Sequence, residues 1–163
     1  MKNWWKILAF LLLLFTVIGK QMVNTGIVFG LLGLLTGSIW AKFTWGAYWT
    51  NDIKLNGSAI TMLVYFAYLI LRSSMDEEQK RGRIAAVYNI FAFVMLIVFI
   101  GVLPRMYDSL HPGNGGNPAF DSYDLDSNMR LVFYPAVAGW ILLSLWIANL
   151  NIRINKFKDK IEE

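Results

Sequence analysis

Ile84-Ala-Ala-Val-Tyr-Asn-Ile-Phe-Ala-Phe-Val-Met-Leu-Ile-Val-Phe-Ile-Gly-Val-Leu-Pro104 runs for 21 residues without a charged side chain. A helix rises about 1.5 Å per residue, so about 20 apolar residues cross a hydrocarbon core roughly 30 Å thick. The stretch reads as a membrane span. Working outward, residues 7–19, 22–41, 55–71 and 131–152 are equally free of charge, and all 15 Lys and Arg and all 11 Asp and Glu fall outside these five windows. With 56% apolar residues and a mean hydropathy of +0.47, the composition exceeds what a soluble domain of this length carries. The expected fold is an all-α integral membrane protein, a polytopic bundle of about five transmembrane helices forming one domain over residues 1–163.

The first window is short, and Trp4, Trp5 and Lys6 lengthen it, with the tryptophans at headgroup level and the lysine snorkelling outward. Lys2 and Lys6 before an apolar run also suit a signal peptide. No Ala-x-Ala-like site follows, so an uncleaved first span is the preferred reading. The absence of cysteine excludes disulfides and a Cys-x-x-Cys-His haem attachment site.

Lys and Arg favour the cytoplasmic side of short loops. Arg72, Lys80, Arg81 and Arg83 mark residues 72–83 as a cytoplasmic loop. Arg153, Lys156, Lys158 and Lys160 mark 153–163 as a cytoplasmic tail that extends the last helix and anchors at the anionic leaflet. The net acidic segment 105–130 then lies outside, together with an aromatic loop at 40–56. Carried back to the N-terminus, the rule meets a conflict. Lys2, Lys6 and Lys20 all ask for the inside, yet only one span separates them, and residues 19–22 are too few to cross again at about 3.3–3.6 Å each. The first window lies in the interface, or the N-terminus lies outside, or a crossing is missing at Gly19 to Met22. The interfacial option is weakest, because residues 7–18 offer no polar face except Thr16.

Two features carry candidate chemistry. Gly26, Gly30, Gly33 and Gly37 fall on one helical face, which reads first as close helix packing of the small-xxx-small kind and second as a flat wall admitting a flat ligand. The segment Trp40-Ala-Lys-Phe-Thr-Trp45-Gly-Ala-Tyr48-Trp49-Thr-Asn-Asp52 concentrates five aromatic rings in ten residues and ends on an acid. An interfacial aromatic belt explains some of it. A planar hydrophobic ligand, stacked on the rings and paired through its anionic groups with cations, explains it as well. His111, the only histidine, precedes Pro112-Gly-Asn-Gly-Gly-Asn-Pro118, a turn or mobile loop. A lone loop histidine is ordinarily solvated, but neutral imidazole is also the common axial ligand of haem iron. Asp121, Asp124 and Asp126 read as a solvated acidic loop before a cation site. Asp76-Glu77-Glu78 reads as a helix start. A net charge of +4 on a chain of this kind does not point to nucleic acid.

Gly37-Ser-Ile-Trp40 through Trp45-Gly-Ala-Tyr-Trp49-Thr-Asn-Asp52 resembles the haem-handling cytochrome c assembly family (Trp-rich, WWD-type), which includes haem exporter protein C and CcsA-type biogenesis proteins. The resemblance runs from about residue 26 to the C-terminus. Trp40, Trp45, Gly46, Trp49 and Asp52 match the family's outer loop, Ala41 departs from a glycine and Asn51 from a tryptophan, and Lys54 stands where arginine is frequent. Leu110-His111 resembles the family's second loop histidine. The family's first histidine and the span after it have no counterpart, and that gap falls at the same Gly19–Met22 junction, as if the chain were an internally shortened member.

The resemblance implies a haem-handling assembly factor for cytochrome c biogenesis rather than an enzyme. It would sit in the bacterial inner membrane, hold b-type haem transiently on the periplasmic side, and present it to a periplasmic haem chaperone or apocytochrome c beside other maturation proteins. It further implies His111 on the iron, Trp40, Trp45 and Trp49 on the ring, Asp52 orienting the loop, and a five-coordinate site within one copy. Charge and side alone nominate Lys42, Lys54, Arg105 and Arg130 for the propionates. A transporter would place ionisable groups or broken helices at the midplane, and no charge lies in any window. A structural membrane subunit, or a shortened member without haem, remains the alternative.

Overall fold

The computed structural model describes residues 4–111 and 125–162. The chain forms α1 (Trp4–Trp45), α2 (Ile53–Ser73), α3 (Glu78–Leu96), a π-helical segment (Ile97–Val102), the single turn α4 (Leu103–Met106) and α5 (Ser127–Glu162). Four stretches of the described residues are long and apolar enough to cross a membrane: Gly19–Trp45, Ile53–Ser73, Glu78–Met106 and Ser127–Lys158. The all-α membrane architecture is therefore as expected, with one revision to the count. The first two windows share one 42-residue helix, because Gly19-Lys-Gln-Met22 holds no proline and Thr25 stays in the ladder with its hydroxyl on the Gln21 carbonyl at 2.9 Å. No turn forms at the junction where the charge pattern conflicts.

Large apolar side chains such as Phe43, Ile70, Val87, Leu131 and Val132 lie on the outside of the bundle. In water such a surface would be costly, while against lipid tails it costs nothing. The buried interior is small and centres on Val23, Ile27, Met62, Tyr68 and Ala85, with Leu34, Tyr65, Phe66 and Tyr88 packed against it. The Tyr88 hydroxyl donates to the Val64 carbonyl at 3.1 Å, tying α3 to α2. Phe29 meets Trp140 edge to face at 5.4 Å, which fixes α5 against α1.

Two local devices position the end of the bundle that matters here. Gly57 on α2 lies against the π-helical segment so closely that a Cβ there would sit 2.6 Å from the Phe99 carbonyl oxygen. That approach lets α2 and the π turn touch backbone to backbone. The π turn is followed by Pro104, buried in α4, and it rotates the chain so that Arg105 and the segment to His111 are delivered toward α2. Wide turns of this type recur where a helix must re-aim a functional segment.

The expected headgroup placement of Trp4, Trp5 and Lys6, the Pro112–Pro118 stretch and the Asp121 and Asp124 carboxylates lie outside the described residues and side chains. Asp126 has a simpler role than cation binding. Its carboxylate accepts from the Met129 N–H at 2.7 Å and its carbonyl from the Arg130 N–H at 3.0 Å, so it starts α5.

Candidate functional site

The aromatic segment is less a loop than its composition suggests. Trp40 to Trp45 are the last turns of α1, and only residues 46–52 connect it to α2. Gly46 ends α1 at φ +80°, a left-handed conformation that glycine adopts without strain and that commonly closes a helix. Lys42 seals that end by donating to the Gly46 carbonyl at 2.9 Å and lies 5.6 Å over the Tyr48 ring.

Asp52 then starts α2. Its Oδ1 accepts from the Lys54 and Leu55 N–H groups at 2.9 and 3.2 Å, satisfying two donors that the first helical turn leaves open. The same carboxylate reaches across 57 to 59 residues of sequence. Oδ2 accepts from the Ser109 hydroxyl at 2.8 Å and the Leu110 N–H at 2.7 Å, and Oδ1 lies 3.0 Å from His111 Nδ1. The Ser109 hydroxyl also accepts from the His111 N–H at 3.1 Å. One side chain thereby clasps the two loops together at the same end of the helices. The Asp52 side chain is 2% exposed and that of His111 30%, so the carboxylate forms the floor and the imidazole the reachable surface.

Burial alone works to raise the Asp52 pKa. The Ser109, Leu110 and Leu55 donors and the neighbouring His111 outweigh it and hold the carboxyl below the usual aspartate value. An ionised carboxylate only accepts, so His111 Nδ1 carries the hydrogen of this bond, which in the neutral tautomer leaves the lone pair on Nε2. A histidine oriented in this way, with one nitrogen on a carboxylate and the other available, is the usual preparation of a metal-binding imidazole.

His111 stands over Trp45, ring centroids 4.8 Å apart at 78°, and Trp45 stands over Trp40 at 5.1 Å and 79°. This aromatic stair is the mouth of a groove of about 1320 Å³ between α1, α2 and α3. The groove is lined by Gly26, Gly30, Gly33 and Gly37 on one wall and by Thr61, Met62, Tyr65, Asn89 and Phe93 from α2 and α3, with Lys54, Arg105 and His111 also in its lining. That is larger than the roughly 300–1,000 Å³ of ordinary small-molecule pockets.

The glycine face corrects the first reading of it. A Cβ at Gly26, Gly33 or Gly37 would meet nothing within 4 Å, and only Gly30 has a close neighbour, with Met62 Sδ 2.5 Å from such a Cβ. The face lines the groove instead of cementing a helix pair, because no side chain of α2 or α3 reaches Gly26, Gly33 or Gly37.

Of the nominated residues, Trp40, Trp45, Lys54 and His111 line the groove and Asp52 lies beneath it. Gly46 shapes the turn. Trp49 stands apart, its indole N–H donating to Asn56 Oδ1 at 3.2 Å while Asn56 donates to Asn51 Oδ1 at 2.8 Å. Of the four nominated cations, Lys54 and Arg105 are at the groove, Lys42 is committed to the α1 terminus, and Arg130 donates to the Leu125 carbonyl at 2.9 Å. Ala41, where the resembled family has glycine, is 1% exposed; the position demands a small side chain and a methyl group fits. Ser109 and the π-helical turn were not legible in sequence, since a serine in a polar loop and a wide turn in an apolar run carry no pattern.

Fold and groove together define the class, a multi-span helical membrane protein with an apolar groove that opens beside a clasped histidine at one end. The family model described as Heme exporter protein C matches residues 5–163, and the chain belongs to that family. It is 26% identical over 132 residues to "Heme exporter protein C" of Escherichia coli, covering 81% of this chain and 52% of that protein. The corresponding protein of Haemophilus influenzae is 25% identical over 139 residues, 85% of this chain and 55% of the relative. "Cytochrome c biogenesis protein CcsA" of Prochlorococcus marinus is 40% identical over 80 residues, 47% of this chain and 25% of that protein. The chain thus spans about half the length of the heme exporter relatives it matches.

Proposed function

We propose that this chain handles haem as cargo in cytochrome c biogenesis, holding it at the His111 end of the groove and presenting it to a haem chaperone or apocytochrome c. The observation that carries the reading is the Asp52–His111 pair at 3.0 Å beside Trp45. It leaves one imidazole nitrogen available next to aromatic faces and above an apolar slot with a glycine wall. These residues suit haem chemically. His111 Nε2 is a fit axial ligand, Trp40 and Trp45 supply faces and edges for a macrocycle, and Lys54 and Arg105 are cations in the lining of the same groove that would suit propionates. Bound haem supplies an iron that takes axial nitrogen; the chain's own contribution is to orient the imidazole, fix its tautomer and shield the ring from water. These 163 residues supply one imidazole and no cysteine, so haem held by them would be b-type, with a single axial nitrogen from this chain.

The basic loop at Arg72–Arg83 and the basic tail put their ends of the helices in the cytoplasm by the positive-inside rule. The clasped loops then face the periplasm of a bacterial inner membrane, where an acceptor meets them. The role is delivery, not catalysis.

Haem content and Soret absorbance of the detergent-purified chain test the proposal, with His111→Ala and Trp45→Ala purified identically. Haem retained by the parent and lost in His111→Ala is the expected result. No haem in any folded sample from haem-replete cells would leave a structural membrane subunit in its place.

A further inference from the structure

A second cavity, of about 280 Å³, lies between α1 and α5, far from the groove. Its polar lining is Lys20, Gln21 and Asn24 from α1 and Asn151, Asn155 and Lys158 from α5. The spacings are helical. Positions 20, 21 and 24 share one face of α1, and 151, 155 and 158 share one face of α5, so the two faces confront each other across the space. No carboxylate lines it among the described residues. Two ammonium groups and four side-chain amides therefore converge with positive charge and many donors.

Depth decides what such a cavity is for. Counting back from Trp45 to Gln21 and forward from Ser127 to Asn151 gives the same 24 residues on both helices. At 1.5 Å per residue, both place the cavity about 36 Å from the aromatic end. The hydrocarbon core is about 30 Å thick. With the aromatic turns at one interface, the cavity falls just beyond the core at the other, where lipid phosphates lie. Polar faces of this kind inside the core would be costly without partners; at headgroup level water or an anion can satisfy them, and two lysines with no facing carboxylate favour the anion.

We propose that this cavity is a binding site for a phosphate-bearing anionic group, and specifically the headgroup of an anionic phospholipid wedged between α1 and α5. The lysines neutralise the phosphodiester, and the Gln21, Asn24, Asn151 and Asn155 amides donate to its oxygens and to a polar headgroup substituent. Acyl chains continue along the adjoining apolar surfaces of the two helices. Occupancy of this site braces the α1–α5 contact at the end of the bundle opposite His111, and it does not depend on what the groove carries.

Native mass spectrometry of the full chain in detergent tests this. The chain is titrated with short-chain phosphatidylglycerol, with the matching phosphatidylcholine, and with inorganic phosphate. One phosphatidylglycerol is expected to bind in preference to phosphatidylcholine. Lys20→Gln/Lys158→Gln should weaken it about thirtyfold, from the usual contribution of two basic residues near an anionic headgroup. Lys80→Gln/Arg81→Gln should leave it unchanged, and Lys20→Arg/Lys158→Arg should restore most of it, which separates lost binding from lost folding. Equal uptake of both lipids, or equal loss in the two glutamine pairs, would overturn the site. Inorganic phosphate binding with the same sensitivity, and lipid not binding, would overturn the lipid source and make the occupant a soluble phosphate.

Discussion

Trp45 and Trp49 are four residues apart in one aromatic run, yet they live in different surroundings. Trp45 is the last residue of α1, so its ring is fixed by helical register and meets Trp40 on one side and His111 on the other. Trp49 follows the Gly46 turn and hydrogen-bonds outward to Asn56. Identical side chains thus divide between a groove wall and a loop brace. The lesson is that a cluster of one residue type is not one site: the helix terminus between its members decides which of them face a ligand.

Asp52 brings His111 to the Trp45 side of that division, and removing it should have the largest effect. Asp52→Ala loses the α2 cap and the inter-loop clasp together and should cost about 2–4 kcal/mol, read as a lower thermal midpoint in detergent. Asp52→Asn keeps a good cap but not the all-acceptor clasp, so it should recover the cap's share, about 1 kcal/mol, and leave the loops loose. If Asp52→Ala melted like the parent, the clasp would have no energetic weight and nothing would hold His111 on the Trp45 side of the contrast.

Gly57→Ala probes the same contrast from below. Its Cβ would press on the Phe99 carbonyl oxygen, which is backbone and cannot swing away, so a loss of about 1–3 kcal/mol is expected. Gly33→Ala opens onto empty groove and should melt within about 0.5 kcal/mol of the parent. Equal melting of the two variants would contradict the close approach that aims the His111 segment.

Trp45→Ala should reduce haem retention about tenfold, in line with about 1.4 kcal/mol for a lost aromatic contact and its burial, whereas Trp49→Ala should stay within about twofold. Equal losses would return both residues to a single aromatic wall. The smallest effect is that of acid. Because Asp52 titrates below its ordinary value of 3.8 in the folded chain, its contribution is complete above that value and is lost as the pH falls through the depressed one. The parent should therefore lose more stability than Asp52→Asn as the pH falls below about 4, and no difference in slope should appear between pH 5 and pH 7.

Much of this was legible in the chain itself. Uncharged windows of 20 to 22 residues dictate spanning helices whatever their neighbours do, since an unpaired backbone has no place in lipid. The aromatic run with its closing Asp52, and the lone His111, were visible as candidates from residue type. Two readings needed more. The Gly19–Met22 junction looked like a break between spans and is continuous helix, because a polar interruption without proline or a capping residue does not stop the hydrogen-bond ladder. The glycine face looked like packing and lines a groove, because periodicity fixes which residues share a face but not what stands opposite.

By itself, then, the sequence determined an all-helical membrane protein, its Trp-rich turn and the identity of its one imidazole. Those depend on local hydrophobicity and residue chemistry, which neighbours cannot change. Only the tertiary structure decided that Asp52 holds His111 across 59 residues, that Trp45 and not Trp49 shares the groove with it, and that six polar residues of α1 and α5 confront one another at the other end. Each of these depends on which helices pack together and where the chain goes after the π turn, and contacts between segments far apart in sequence are settled by packing.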